Sequence, residues 1–405
     1  MLMKQKQKSR VFYHGFCPKR VVLALLAAFM LVLASGCLRA PQQGEPGGTA
    51  PAVVTLWHTL QGPEAAALQA QTDGISKSNP AILIRLKYVP EQSFAALAYQ
   101  AEAGGEGPEL FLAPRAILWQ LYAKGAISPV VQYTSDSYPA ALAQFRFGDK
   151  LYAQPLLTDL PLLYYRTDGG SAPTSLTDLS KGSLVLPQVN TQVFSAWWTA
   201  QGGKASAQGK PQLNAPENLA FLQQLLAWRD GGALRVDPNA FNLLAAGGAR
   251  FTIAYASQAP MLTRLNIPWN ALALNSLTGG QGQVLLGPTL GIANSSIKAV
   301  AAMVQPIRLV EEAMLGPSVE GALAQAGGRF PVSSGYYQKP EAQQGIFLQV
   351  SQSLTKAWPL EGSALDWRLF PILDMAWQNA WAGSQNPVDL LSAAQAQGEA
   401  EAAKK

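Results

Sequence analysis

The arrangement of apolar and polar residues follows two patterns along the chain, one typical of strands and one typical of helices. Short runs of apolar and β-branched residues predict strands at 52–57, 82–89, 109–112, 162–166 and 251–255. Segments of helical composition, some opened by proline or closed by glycine, predict helices at 91–103, 116–124, 216–228, 297–315 and 366–381, with a further one starting at Pro63. Gly148-Asp149-Lys150 between two apolar triplets predicts a hairpin. Strands that alternate with helices at this spacing predict an α/β fold with mainly parallel sheets.

A separate apolar run at 21–34 follows a basic leader and ends in small residues before Cys37. These are the parts of an export signal, and the run is shorter than the roughly 20 residues of a transmembrane helix. The segment resembles a bacterial lipoprotein signal, with Ala34 where that signal usually has leucine. The resemblance implies a signal peptide over 1–36 and a lipid anchor on Cys37. A plain signal peptide or an uncleaved anchor is the alternative, and in each case the chain works outside the cytoplasm.

Composition excludes several classes of function. The leader holds six of the 30 Lys and Arg residues and no acid, so the formal charge of +5 belongs to the leader and no basic face for nucleic acid is expected. With Cys17 in the leader and Cys37 in the anchor, no disulfide framework is expected. His58 is the one histidine after the leader, which leaves little for a metal site or a catalytic triad. The many tryptophans and few charges favour stacking against a sugar over recognition of an anion.

Both ends of the body have low-complexity composition. Residues 37–51 are rich in Gly, Pro and Gln, which predicts a flexible tether. The Ala/Gln/Glu/Lys stretch at 393–405 is expected to fray, with 399–405 as a frayed tail. The length between these ends suits two domains.

A series of segments resembles one known family in its order along the chain. The segments are Val53-Val54-Thr55-Leu56-Trp57-His58, Gly107-Pro108-Glu109-Leu110-Phe111 (with Glu109 for the usual Asp), Gly148–Pro155 with Leu163-Tyr164-Tyr165-Arg166, Pro173–Leu179 (which lacks the usual Trp), and Gly291–Ser296. Together they resemble an extracellular solute-binding protein of the maltose-binding type (family 1), the substrate-capturing lipoprotein of an ABC importer.

The resemblance implies a two-lobed periplasmic-binding-protein fold of type II, in which hinge strands join two α/β lobes. By the family pattern the first lobe holds 52–156 plus 286–332, and the second holds 157–285 plus 333–398. It further implies a monomer without cofactor or metal. Such a protein binds a small solute, here expected to be a mono- or oligosaccharide, in the interlobe cleft and delivers it to a membrane permease.

A sugar site needs aromatic rings for stacking and carboxylates or amides for the hydroxyl groups. His58 and Gln61 follow the first strand, at the end of the sheet where open α/β folds bind ligands. The other candidates are taken from segments whose positions match ligand-binding segments of the family that the chain resembles. The candidate ligand-binding residues are His58, Gln61, Arg115, Asp159, Tyr255, Gln258 and Trp367. A solvated arginine for Arg115, a salt bridge for Asp159 and core packing for Trp367 are the alternatives. Trp377 and Trp381 lie four residues apart on one helix face and are expected in the core.

No catalytic motif is present: the chain has no HExxH, no Walker loop and no Gly-x-Ser-x-Gly. The chain is therefore expected to be a binding protein and not an enzyme. Paired acids could still cleave a glycoside, as Asp159 with Glu217, Asp230 or Asp366. An extracytoplasmic glycoside hydrolase or other surface enzyme, and a sensing or envelope-assembly protein, are the alternative functions.

Overall fold

The computed structural model describes residues 50–131, 136–181, 183–297, 300–358 and 364–404. The strands are β1 (Ala52–His58), β2 (Ile82–Tyr88), β3 (Leu110–Pro114), β4 (Arg146–Phe147), β5 (Lys150–Leu151), β6 (Gln154–Thr158), β7 (Pro161–Arg166), β8 (Leu184–Leu186), β9 (Ser206–Ala207), β10 (Lys210–Pro211), β11 (Leu234–Val236), β12 (Phe251–Tyr255), β13 (Trp269–Ala273), β14 (Leu290–Asn294) and β15 (Phe330–Pro331).

The α-helices are α1 (Gly62–Ser78), α2 (Glu91–Ala103), α3 (Arg115–Ala123), α4 (Pro139–Ala143), α5 (Leu176–Ser180), α6 (Thr191–Ala200), α7 (Pro216–Asp230), α8 (Ala240–Ala245), α9 (Ala259–Arg264), α10 (Ala301–Met314), α11 (Pro317–Gly327), α12 (Gly345–Thr355), α13 (Ala364–Trp381) and α14 (Pro387–Ala402). Proline occupies the first turn of α1, α7, α11 and α14, where its missing N–H would have no helical partner.

Two larger sheets organise these elements. The first has the order β15-β6-β14-β3-β1-β2, and the second has the order β11-β8-β12-β7-β13. In the first sheet β2, β1 and β3 run parallel, whereas β14, β6 and β15 pair antiparallel. In the second sheet β11, β8 and β12 run parallel, and β7 pairs antiparallel with both of its neighbours, β12 and β13. The predicted α/β architecture is therefore present. Both sheets are mixed, because they contain antiparallel strands where the chain passes from one sheet to the other.

Within the described residues the chain crosses between the two sheets three times. The first crossing is the short link from β6 to β7, the second leads into β14, and the third follows β15. The first two crossings bond to each other, because Gly287 N donates to Asp159 O at 2.7 Å and Asp159 N donates to Pro288 O at 3.3 Å. Three adjacent links between two sheets form a hinge-like joint.

Separate hydrophobic cores accompany the two sheets. One face of the first sheet packs around Leu56, Leu112 and Ile292, and its other face packs around Phe94 and Phe111. The core on one face of the second sheet is tryptophan-rich and includes Trp197, Trp198 and Trp377. We refer to each sheet with its packed helices as a lobe. A separate core covers the opposite face of the second sheet, and it includes Phe330 and Val332 at the third crossing.

The structure differs from the sequence prediction at two helices. The helix expected over 297–315 begins at Ala301 and ends at Met314, after which Pro317 opens a separate helix. The expected fraying from residue 393, with its tail at 399–405, is wrong for the residues up to Ala402, because α14 is helical there. Its Leu390, Leu391 and Ala394 are buried in the second-lobe core, which stabilises an alanine-rich helix that composition alone does not.

The export signal at 1–36, Cys37 and all but the last two residues of the tether lie outside the described residues. Among the helices that the structure does describe, none is both long and apolar enough to cross a bilayer.

Candidate ligand-binding site

The ends of four strands bring the predicted site residues to facing edges of the two lobes. His58 ends β1 and Arg115 directly follows β3, and because these strands are parallel, both residues lie at one edge of the first sheet. Tyr255 ends β12, and Asp159 precedes β7, which is antiparallel to β12, so both lie at one edge of the second sheet. We call the surface where these two edges meet the interlobe interface.

One part of the interlobe interface, which we call the carboxylate corner, consists of Glu64, Asp159, Ser257 and Arg329. Nη1 of Arg329 lies 3.2 Å from Oε1 of Glu64, and both side chains are largely buried. Burial raises the pKa of Glu64, and the nearby Arg329 opposes that rise. The pair of Glu64 and Arg329 joins the start of α1 to the residues directly before β15.

Asp159 is the most deeply buried acid of the carboxylate corner, with 6% of its surface exposed. Its Oδ1 accepts hydrogen bonds from the backbone N–H groups of Leu160 at 2.9 Å and Ser257 at 3.2 Å, and Ser257 Oγ donates to Oδ2. Burial raises the pKa of Asp159, while the bonds from Ser257 and Leu160 and the charge of Arg329 act in the opposite direction. Asp159 therefore forms no salt bridge within the described residues. Its carboxylate is instead bonded to Ser257, and Arg329 lies nearby.

Gly328 allows the two lobes to approach each other at this corner. Its φ of +74° is in the left-handed region, and a Cβ atom at this position would lie 2.9 Å from the carbonyl oxygen of Ser257. A larger residue at 328 would therefore be strained and would also push the second lobe away.

A second part of the interlobe interface, which we call the arginine–indole corner, consists of Arg115, Gln144 and Trp367. Nε of Arg115 donates to the carbonyl oxygen of Gln144 at 2.8 Å. The guanidinium carbon lies 4.5 Å from the ring centroid of Trp367, which belongs to the second-lobe core. First-lobe and second-lobe side chains therefore meet here in a cation–π contact.

The two corners are connected through the second crossing. The backbone N–H of Arg115 donates to Thr289 O at 3.0 Å, and Thr289 Oγ1 lies 2.7 Å from Thr158 Oγ1, next to Asp159. Arg115 and Asp159 are thus held to the same short piece of backbone.

Tyr255 faces the same crossing from the second lobe. Its hydroxyl donates to Gln192 Oε1 at 2.5 Å, and Gln192 Nε2 donates to Leu286 O at 3.0 Å. Burial raises the pKa of Tyr255 to about 12, so the phenol stays protonated at neutral pH. A Cβ at position 287 would lie 2.7 Å from Cε1 of Tyr255, so glycine is needed for this approach.

His58 and Gln61 lie on the first-lobe side, beside Tyr88. Gln61 Nε2 donates to the Tyr88 hydroxyl at 2.5 Å, and the rings of His58 and Tyr88 are 6.1 Å apart. Burial lowers the pKa of His58, opposed by a backbone hydrogen bond with Leu60, so the imidazole is neutral at pH 7. His58 Nδ1 is buried and has no hydrogen-bond partner among the described residues.

The structure brings six of the candidate side chains to the interlobe interface and its margin, namely His58, Gln61, Arg115, Asp159, Tyr255 and Trp367. Gln258 is exposed, and within the described chain no recorded hydrogen bond of its side chain joins it to them. Its neighbour Ser257 bonds Asp159 instead. Trp377 is fully buried in the core as predicted.

Six participating residues are absent from the sequence-based set: Glu64, Tyr88, Gln144, Gln192, Ser257 and Arg329. Arg329 lies close to the lobe boundary at 332/333 that the family pattern implies, so its position could have indicated it. The others have partners 27 to 265 positions away in the chain, which no local pattern indicates.

The interlobe interface contains neutral hydrogen-bond donors, carboxylate acceptors, the indole face of Trp367 and the cation of Arg115. Such a set can bind a polar solute with an apolar face. Among the residues that the structure describes, no three His, Cys, Asp or Glu side chains lie close enough together to hold a metal ion.

Comparisons with solved structures show the fold. A cyclo/maltodextrin-binding protein complexed with maltotetraose matches with a TM-score of 0.75 and 14% identity, covering 89% of this chain and 99% of its own. The maltose-binding periplasmic protein MalE from Listeria monocytogenes, in complex with maltose, gives a TM-score of 0.73 and 13% identity over 87% of this chain and 98% of its own. The GacH receptor of Streptomyces glaucescens, solved unliganded and with acarbose, gives 0.68 and 17% over 86% and 98%. The predicted two-lobed type II fold is thereby confirmed.

Sequence comparison identifies the family. No curated protein matches the chain significantly. The family model described as bacterial extracellular solute-binding protein matches residues 65–347, which is more than half of the chain. The chain therefore belongs to the bacterial extracellular solute-binding protein family, as the order of its sequence segments predicted.

Proposed function

We propose that this protein binds a saccharide at the interlobe interface and delivers it to the permease of an ABC importer. The observation that carries the proposal is the meeting of Arg115, from the first lobe, with the indole of Trp367, from the second. An indole face supplies the flat apolar surface against which the C–H face of a sugar packs. Polar groups of both lobes lie elsewhere at the same interface.

The structural neighbours support a saccharide as the solute. Maltotetraose, maltose and acarbose are bound to proteins of the same fold that match nearly their whole length. The shared fold does not by itself carry a ligand over, so the proposal depends on the chemistry of the interface. There the neutral His58 and the protonated Tyr255 can hydrogen-bond to hydroxyl groups without adding charge.

The three crossings suit a mechanism of hinge closure. A ligand that contacts both lobes stabilises the closed arrangement by its differential affinity for that arrangement. We place the lobes at 52–156 plus 286–332 and at 157–285 plus 333–398. In this proposal the ligand bridges His58 and Arg115 of the first lobe to Asp159, Tyr255 and Trp367 of the second.

Export and anchoring complete the proposal. Membership in an extracellular family implies that the chain is exported. We propose that residues 1–36 are removed, that Cys37 is lipidated and that the monomer is tethered to the outer face of the membrane next to its permease. Catalysis is not part of the proposed function, which rests on membership in a family of solute-binding proteins.

A thermal-shift screen across mono- and oligosaccharides tests the proposal. A ligand selective for the native state at 100 times its Kd stabilises by about 2.7 kcal/mol, which raises the melting temperature measurably. At least one saccharide is expected to do so. If no saccharide shifts the transition while amino acids or polyamines do, the proposed ligand class is wrong. Release of product from a chromogenic glycoside panel would instead indicate an enzyme.

A further inference from the structure

Arg115 is a largely buried cation that has no carboxylate partner among the described residues. Its Nε donates to Gln144 O, and this is the one side-chain hydrogen bond recorded for it among the described residues. No carboxylate of the described chain lies within 4.0 Å of its guanidinium, whereas Arg329 at the same interface is paired with Glu64. A guanidinium carries five N–H donors, so most of its donors are unmatched.

The electrostatic surroundings of Arg115 differ from those of an ordinary surface arginine. Burial lowers its pKa to about 10, and no neighbouring charge contributes to that shift. The side chain remains protonated at neutral pH. A desolvated cation of this kind gains more from an incoming anion than a solvated one does, because solvent screens the pair less.

The contact with Trp367 does not use up the guanidinium. The indole lies beneath the guanidinium carbon at 4.5 Å, and the rings of Trp119 and Phe147 are each 6.0 Å away. A cation–π contact engages the face of the guanidinium, whereas its N–H donors lie in its plane. Those donors form a fork that matches the oxygens of a carboxylate or phosphate in a bidentate way.

We propose that the saccharide bound at the interlobe interface is acidic, and that Arg115 pairs with its carboxylate or phosphate while Trp367 packs against its ring. The inference deepens the proposed function and rests on it. It reverses the expectation from overall composition, in which few charges favoured a neutral sugar, because one unpaired cation at the site outweighs the average of the chain.

Isothermal titration calorimetry on matched ligand pairs tests the inference. The pairs are galactose with galacturonate, a neutral disaccharide with digalacturonate, and glucose with glucose 6-phosphate, with inorganic phosphate as a sugar-free anion. The unmodified protein is expected to bind at least one acidic member about tenfold or more tightly than its neutral partner, a difference of about 1.4 kcal/mol. The preferred pair also tells a carboxylate from a phosphate.

Two variants assign the preference to Arg115. Arg115→Gln is expected to reduce the preference to less than about threefold, and Arg115→Lys, which keeps the charge but not the fork, to retain part of it. The matched control is Arg250→Gln. Arg250 is partly buried, donates to a carbonyl oxygen, that of Ser171, and lies over an aromatic ring, but it directly precedes β12, at the opposite edge of the sheet from Tyr255. The control is expected to keep the full preference.

The outcomes separate the inference from the proposed function. Neutral saccharides that bind as tightly as the acidic ones to the unmodified protein would overturn the inference and leave saccharide binding intact. Inorganic phosphate that binds as tightly as the sugar phosphate would overturn it as well, since the sugar would then contribute nothing. If no saccharide of either kind binds, the proposed function and the inference are both wrong. Because the ligand pairs are compared on the unmodified protein, a variant that fails to fold does not affect this test.

Discussion

The carboxylate corner and the arginine–indole corner each place one arginine at the interlobe interface. Within the described part of the chain, only Arg329 is paired with a carboxylate. Arg329 lies between Glu64 and Asp159, whereas Arg115 meets a carbonyl oxygen and an indole. The arginine of the carboxylate corner is paired within the protein, which suits a part that holds the lobes together. The arginine–indole corner has a cation and an aromatic face to offer, which suits a part that binds a ligand.

The largest expected effect is on stability at the carboxylate corner. Arg329→Met leaves Glu64 and Asp159 buried without their cation and is expected to lower the free energy of unfolding by about 3 kcal/mol, since breaking a buried pair strands a charge. Arg115→Met strands no carboxylate and is expected to cost about 1 kcal/mol, from one hydrogen bond and a cation–π contact. Denaturant unfolding measures both.

The double variant Glu64→Gln with Arg329→Met serves as the control, because it removes both charges of the pair. It is expected to recover most of the loss. Equal costs for Arg329→Met and Arg115→Met would contradict the distinction between the corners.

The next effect concerns Ser257, whose hydroxyl donates to the buried Asp159. Ser257→Ala is expected to cost about 2 kcal/mol of unfolding free energy, because a charge-assisted hydrogen bond to a buried carboxylate is lost. The adjacent exposed residue gives the matched control: Gln258→Ala is expected to change stability by less than about 0.5 kcal/mol. Thermal unfolding of both variants decides whether Ser257 belongs to the corner.

A smaller effect is expected on affinity at the arginine–indole corner. Trp367→Ala is expected to weaken saccharide binding about tenfold while the protein stays folded, because stacking contributes about 1 kcal/mol beyond area burial. Trp381→Ala is the control on the same helix, since Arg229 lies 5.6 Å from that ring, far along α13 from the interface. Calorimetry that finds equal affinity for Trp367→Ala and the unmodified protein would remove Trp367 from the site.

The smallest expected effect is on the pH dependence of stability. The pKa values of Glu64 and Asp159 are raised in the folded protein, mainly by burial. The folded state therefore holds protons that the unfolded state has released just above the ordinary carboxyl range, so this contribution to stability falls as pH rises through that window. The decrease is expected to be reduced in Glu64→Gln, and unfolding measured between pH 4 and 7 in both proteins tests this.

Arg115 is expected to leave that slope unchanged. Its pKa is lowered to about 10, so it is protonated in both states between pH 4 and 7. Unfolding measured across this range in Arg115→Gln should run parallel to the unmodified protein. A changed slope would show that Arg115 is coupled to the carboxylates after all.

The sequence predicted the fold well where one element carries its own signal. The helix Glu91–Ala103 appears with the predicted bounds, and the strand Phe251–Tyr255 does as well. The C-terminal helix was missed because its stability comes from contacts with the second lobe: Gly398 approaches Leu213 and Leu369 closely. Packing of that kind has no local sequence pattern.

The sequence predicted most of the residues at the site but not the contacts between them. Arg115 and Trp367 were identified separately, but their contact spans 252 positions of the chain and has no sequence signal. Gln258 was among the candidates, whereas the turn after β12 directs its neighbour Ser257 to Asp159. Side-chain direction in a turn depends on backbone geometry that composition does not fix.

Hydrogen exchange with and without a saccharide that raises the melting temperature tests the central claim most directly. A ligand held by both lobes is expected to slow amide exchange at two separate segments together, the start of α3 after Pro114 and the start of α13 around Trp367. Protection confined to one lobe, or to surfaces away from both corners, would contradict an interlobe binding site.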